Sequence, residues 1–266
     1  LHKIYASGKK QVYALNDASF VLRAGETLGV VGESGSGKST LAKTLIRLEA
    51  PSEGAVIIKE TDFLALSGPD LERARRQIQK IFQDPFGSLN PSQSVGYMIM
   101  RGLEMQGIQG AAARNRAIEL LEQVGLSEAA LHRKPRNFSG GQRQRIGIAR
   151  ALAIEPDVVI ADESVSALDL SVQKQVLLLM NDLQKKYQMA IIFITHDLRV
   201  AAQISDYITV MEKGVMVEFG PAEEVFNAPK HDYTKRLLSA APGRDWHPPR
   251  LAPGEAARIA ASIQRG

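Results

Sequence analysis

The chain has 266 residues, 44% hydrophobic and 23% charged, with 33 Lys and Arg against 29 Asp and Glu, a net charge of +4 and no cysteine. Such values fit one large α/β domain or a main domain with small lobes, exclude disulfides and thiolate metal sites, and suit a reducing compartment. No apolar run approaches the roughly 18–20 residues of a membrane span, no secretory signal is expected at the start, and scattered, mildly basic charge argues weakly for nucleic acid or anionic lipid. The first residue is Leu1 rather than Met, as expected of a trimmed chain or of one half of a longer polypeptide.

Residues 1–25 carry short alternating apolar segments with turn signals and read as antiparallel strands. Tyr5 and Tyr13 are aromatics suited either to stacking on a base or to strand-face packing. The apolar run 26–31 reads as a buried strand, and residues 41–48 show helical spacing. Between them lies Gly32-Glu33-Ser34-Gly35-Ser36-Gly37-Lys38-Ser39-Thr40, a glycine, four residues, then Gly-Lys-Ser. Glycines let successive backbone N–H groups turn inward, and the following helix adds its positive N-terminal end, so the stretch is built for phosphate. Lys38 suits the β- and γ-phosphates and the Ser39 hydroxyl suits Mg²⁺.

Further along, 51–54 reads as a turn, 55–58 as a strand, 71–79 as a basic helical stretch and 78–82 as a strand. Pro, Gly and Asn then break all periodicity over 83–91, with Gln83 placed to reach a metal-bound water or the γ-phosphate region, or simply to cap the loop. Segments 95–105 and 111–124 look helical, with Ile118, Leu121 and Val124 on one face and Gly125 as a stop, and form a helical lobe inserted into the main fold.

Phe138-Ser139-Gly140-Gly141-Gln142 opens a helix running to about Ala153, and a serine with two glycines at a helix start offers a second anion site. Capping by Ser139 accounts for the serine alone. The run 157–163 reads as a strand ending in two carboxylates, which a parallel sheet presents at its ligand-binding edge. Asp162 suits the Mg²⁺ surroundings and Glu163 suits polarising a water toward the γ-phosphate. A helix from about 171 to 187, a buried strand over 190–194 with His196 just beyond it, and a hairpin over 206–219 turning at Lys213-Gly214 follow. Beyond Pro221 come a short helical segment around 223–226, a tail rich in Pro, Ala and Arg, and a terminal helix over 255–264.

Taken together these motifs resemble the ABC-type ATPases. Residues 32–40 resemble the Walker A loop, Gln83 the Q-loop, Ser139-Gly140-Gly141-Gln142 the signature, 158–163 Walker B with its glutamate, 166–169 the D-loop, and His196 the switch histidine. Tyr5 falls where that family has its adenine-stacking aromatic. The resemblance implies an α/β fold: a P-loop NTPase core of mainly parallel sheet, an N-terminal antiparallel β lobe and an inserted helical lobe at about 92–153, together spanning 1–220. Segment 221–266 is then a C-terminal extension. Residues 83–91 and 229–238 are similar to the oligopeptide/dipeptide importers, while Phe138, Ser164 and Asp232 depart from the family pattern.

Implied by the resemblance are ATP and Mg²⁺ as cofactors, with Lys38, Gln83, Glu163 and His196 in catalysis and Ser39, Gln83 and Asp162 at the metal. Tyr5, Gly32, Ser34 to Thr40, and Ser139 to Gln142 would bind nucleotide. Also implied are a head-to-tail ATPase partner of the same or a paralogous chain, permease subunits, an extracytoplasmic solute-binding protein acting indirectly, no nucleic acid, and a peripheral place on the cytoplasmic face of the membrane. An exporter's nucleotide-binding domain and a nucleic-acid-maintenance ATPase are the alternatives; the second usually carries coiled-coil or zinc insertions that a compact, cysteine-free chain lacks.

Overall fold

Runs of Val, Ile and Ala too apolar to face water on either side make the strands of a parallel sheet covered by helices on both faces. In the computed structural model, which describes residues 1–7, 10–84, 87–166 and 168–240, that sheet is the centre of the molecule. In chain order the elements are β1 (Lys3–Ser7), β2 (Lys10–Leu15), β3 (Thr27–Val31), α1 (Lys38–Leu45), β4 (Ile57–Ile58), β5 (Thr61–Asp62), α2 (Gly68–Gln77) and β6 (Ile78–Ile81). After them come α3 (Val95–Glu104), α4 (Gly110–Gln123), α5 (Gly140–Leu152), β7 (Val158–Asp162), α6 (Leu170–Tyr187) and β8 (Ala190–Thr195). The last are α7 (Leu198–Ile204), β9 (Tyr207–Glu212), β10 (Val215–Pro221), α8 (Ala222–Asn227) and α9 (Asp232–Ala240).

The main sheet has six strands in the order β10-β9-β3-β8-β7-β6. All neighbours run parallel except β10, which turns back on β9. Register carries functional weight here: Val31 lies opposite Thr195, Asp162 opposite Ile194, and Ile81 opposite Ala161. The chain therefore leaves β3, β6, β7 and β8 along one edge, and residues 32–40, Gln83, Glu163 and His196 all follow directly from it.

Side chains alternate across the sheet with a period of two. Val159, Ala161, Ile191 and Phe193 join one buried cluster that runs without a break into α3, α4, α5 and α6 through Ile99, Leu120, Leu121, Ile146 and Val176. Leu28, Val30, Ile160, Ile192 and Ile194 face the opposite way, against Leu41, Ala42 and Leu45 of α1. A third cluster joins Val31 to α7, α8 and Tyr233.

Several local expectations change. The strand expected over 55–58 is only Ile57–Ile58, paired with Thr61–Asp62. Their turn places Lys59 and Glu60 at φ 47° and 68°, left-handed geometry without the glycine or asparagine that signals it. By contrast Lys213 and Gly214, both at positive φ, make the β9–β10 turn recognisable. Two helices, α7 and α9, fall where the sequence pattern signals none. α7 has seven residues, too few to display a period, and depends on the Asp197 carboxylate accepting from the Arg199 N–H at 2.8 Å. The terminal helix expected over 255–264 lies outside the described residues.

Candidate active site

Two glycines shape the phosphate loop. Gly37 sits at φ 109°, and a Cβ there would lie 2.5 Å from the Ala14 carbonyl oxygen. Gly32 packs so closely that a Cβ would lie 2.3 Å from the Met211 carbonyl oxygen. Both distances are far inside van der Waals contact, so these positions require glycine. Ser36 is buried and its carbonyl accepts from the Gly214 N–H at 2.8 Å. Ser34, Gly35 and Ser39 are exposed, and Thr40 is half-buried.

Lys38 is buried at the start of α1, where its ammonium donates to the carbonyls of Gly32 at 2.7 Å and Glu33 at 2.8 Å, and to the Ser36 hydroxyl at 3.4 Å. Burial pushes its pKa down, against the opposing pull of the Glu163, Asp162 and Glu33 carboxylates. The lysine thus lies within electrostatic reach of both acids at the end of β7.

Those acids differ in surroundings. Asp162 is buried and pairs with the Lys80 ammonium of β6 at 2.7 Å, with only 9% of the lysine side chain and 12% of the aspartate side chain exposed. Glu163 leaves the strand at φ 45°, a conformation costing a non-glycine residue about 1–2 kcal/mol. Its N–H donates to the Ile194 carbonyl at 2.9 Å, and its carbonyl accepts from the Ser166 N–H and hydroxyl, so the strained turn is tied on both sides. The Glu163 carboxylate accepts from Gln83 Nε2 at 2.8 Å and lies 3.9 Å from His196 Nδ1. Gln83 and His196 therefore converge on one carboxylate.

Next to it, Ser164 is buried and its hydroxyl has no hydrogen-bond partner among the described residues, at the position where the resemblance expects proline. Asp169 caps α6 by accepting from the Val172 N–H at 3.0 Å, and that bond holds its carboxyl below the usual range. Ala167 and the Pro85-Phe86 pair lie outside the described residues.

Tyr5 is 39% exposed on β1. Its hydroxyl donates to the Glu49 carboxylate, an interaction that raises the phenol pKa and lowers that of the acid, and Glu49 also pairs with Lys43 of α1 at 3.0 Å. That places an exposed ring near the helix that follows the phosphate loop. Ser139 and Gln142 form a reciprocal cap at the start of α5: Ser139 Oγ accepts from the Gln142 N–H at 3.3 Å and Gln142 Oε1 from the Ser139 N–H at 3.1 Å. Gly141 is needed for packing, since a Cβ would lie 2.4 Å from Val172 of α6, whereas Gly140 has room. None of the hydrogen bonds of Ser139 and Gln142 described here reaches the phosphate loop.

The family model for ABC transporters matches residues 15–166, more than half of the chain. The chain belongs to the ABC transporter family. Among its relatives is the glutathione import ATP-binding protein GsiA of Salmonella typhimurium, 50% identical over 237 residues, which are 89% of this chain and 38% of GsiA. A putative peptide import ATP-binding protein of Brucella ovis is 45% identical over 246 residues, covering 92% of this chain and 78% of the relative. The chain thus spans well under half the length of the GsiA relatives it matches.

Among solved structures, a dimeric post-hydrolysis state of the ATP-binding cassette MJ0796 bound to ADP and Pi superposes with a TM-score of 0.74 at 31% identity, covering 83% of this chain and 96% of that one. The cbiO1 protein from Clostridium perfringens, part of the ABC transporter complex cbiONQ, gives 0.77 at 25% identity, covering 98% and 96%. The fold is the ABC ATPase α/β fold.

Two side chains that this ABC transporter sequence did not single out touch the site. Lys80 neutralises Asp162, and Tyr233 of α9 accepts from the Glu33 N–H at 3.0 Å. A lysine in the strand Ile78-Gln79-Lys80-Ile81, whose two isoleucines are buried, is the available signal for the first. For the second there was none, because the partner lies 200 residues away.

Proposed function

We propose that this chain is the ATP-hydrolysing subunit of an ABC importer, coupling ATP turnover to uptake of peptides or similar small solutes. What carries the reading is the convergence of Gln83 and His196 on Glu163, beside the Lys38 loop, along one sheet edge. Lys38, released from the Gly32 and Glu33 carbonyls, binds the β- and γ-phosphates together with the N–H groups of residues 35–40. Glu163 polarises the attacking water and accepts its proton; Gln83 holds that carboxylate and His196 contacts the γ-phosphate. The products are ADP and inorganic phosphate.

Ser39 hydroxyl, Gln83 amide and Asp162 carboxylate offer the hard oxygen donors that Mg²⁺ takes, and the Lys80 ammonium already marks Asp162 as a place for positive charge. Bound there, the ion supplies charge neutralisation to the phosphates.

One chain supplies the lysine loop, and a second copy or paralogue packed head to tail supplies Ser139, Gly140, Gly141 and Gln142 across the nucleotide. The dimeric form of the solved relative bound to ADP and Pi supports this arrangement. Exposed Phe82, Tyr97 and Met105 supply an apolar surface for permease subunits, which place the chain on the cytoplasmic face of the membrane, with a solute-binding protein acting through them. No helix among the described residues is long and apolar enough to cross a membrane itself. Residues 1–220, with a helical lobe at about 92–153, form the ATPase unit, and 221–266 its extension. The relatives' printed roles in glutathione and peptide import support the solute class.

The test is Glu163→Gln, which keeps the shape and an oxygen for Gln83 but removes the proton acceptor. ATP binding is expected to persist while turnover falls by about 10²–10⁴, with an ATP-bound dimer accumulating on size exclusion. Unchanged hydrolysis would refute the assignment.

A further inference from the structure

We propose that Tyr233, on a helix beyond the segment matched by the family model, is a positioning residue for the phosphate loop. It holds the peptide group joining Gly32 to Glu33 when Lys38 turns toward nucleotide. The N–H of that peptide group donates to the Tyr233 hydroxyl at 3.0 Å, and its carbonyl accepts from Lys38 Nζ at 2.7 Å. Both ends of one peptide group are thus held by side chains. When the ammonium gives up carbonyl contacts to engage phosphate, the phenol is the side-chain anchor that stays.

The anchor has contacts of its own besides the one to Glu33. The Tyr233 ring is buried in a cluster with Val31, Leu198, Ala201 and Val225. The Glu218 carboxylate of β10 accepts from the N–H groups of Lys230 at 2.8 Å and His231 at 3.1 Å, and the Tyr233 N–H donates to His231 Nδ1 at 3.2 Å. Arg236 pairs with Glu212 of β9 at 3.6 Å and lies 5.8 Å over the Tyr233 ring. β9 is also the strand whose Met211 carbonyl fills the space a Cβ at Gly32 would need, so both the hairpin and the tail border the loop. The tail thereby becomes a part of the nucleotide site: any shift of α9 is felt at residues 32 and 33.

This inference rests on the ATP-binding reading above, and the experiment separates the two. In the full chain, Tyr233→Phe keeps the ring and its packing but removes the oxygen. One neutral hydrogen bond corresponds to about a 2- to 10-fold effect. Hydrogen exchange at the Glu33 amide is expected to accelerate by that factor, ATP affinity to weaken and the ATP KM to rise similarly, with kcat within twofold and the melting temperature lower by no more than about 4 °C. Unaltered Glu33 exchange and ATP affinity would overturn the proposal, as would a larger fall in melting temperature with faster exchange everywhere. A parent chain that binds no ATP would sink the functional reading instead, while Glu33 exchange would still decide the tether.

Discussion

Replacing Lys80 by methionine tests how the site stores charge. The Lys80–Asp162 pair is short at 2.7 Å and nearly closed to solvent, with 9% and 12% of the side chains exposed. In such a place Coulomb attraction and desolvation largely cancel, so the pair itself adds little stability. Removing one partner is different, because the remaining charge keeps its desolvation cost; fully buried cases lose about 3–5 kcal/mol. The residual exposure of Asp162 puts Lys80→Met near the lower end, about 3 kcal/mol. For a chain of this size that corresponds to a fall in melting temperature of about 6–12 °C.

The assay is thermal unfolding of parent and variant, without and with Mg²⁺ and ATP. If Asp162 belongs to the metal site, the ion replaces the missing ammonium and the gap between the two proteins narrows. A variant melting within about 2 °C of the parent without metal, or a gap that Mg²⁺ and ATP leave unchanged, would refute the reasoning.

The Gly32→Ala variant introduces a Cβ only 2.3 Å from the Met211 carbonyl oxygen, so the loop must move. Stability should drop by about 1–3 kcal/mol, and calorimetric titration should show ATP affinity reduced at least about tenfold, the equivalent of 1.4 kcal/mol; parental affinity would contradict the packing argument. At Glu218, burial pushes the carboxyl pKa up, but hydrogen bonds from the N–H groups of Lys230 and His231 oppose it, and the pKa lies below its ordinary 4.5. The unfolded chain therefore takes up this proton first as pH falls. The stabilisation is complete above 4.5 and is lost as pH drops through the lower folded value. Glu218→Gln should flatten that acid limb in denaturant midpoints measured from about pH 3 to 6; curves that stay parallel to the parent's would count against the tether.

Features that depend on near neighbours were legible in the residues. The phosphate loop, the strand ending in Asp162 and Glu163, the helix starting after Ser139 and the Lys213-Gly214 hairpin each declare themselves through glycine placement, apolar runs or capping chemistry. The β4–β5 hairpin did not, because Lys59 and Glu60 adopt its left-handed turn without a glycine. At the start of α5 the sequence offers both ligand contact and capping for Ser139, and the fold adds the return cap by Gln142.

Order along the chain and residue type therefore determined which chemistry is carried and on which kind of element. Only the folded arrangement decided who meets whom. Gln83 reaches Glu163 across 80 residues because β6 and β7 are neighbours in register. Lys80 meets Asp162 for the same reason. Tyr233 reaches Glu33 across 200 residues because the β9–β10 hairpin holds α9 against the end of β3. Local periodicity records which side of a strand or helix is buried, but strand order and register arise from closing the whole core. Contacts that depend on them leave no mark on any single stretch of sequence.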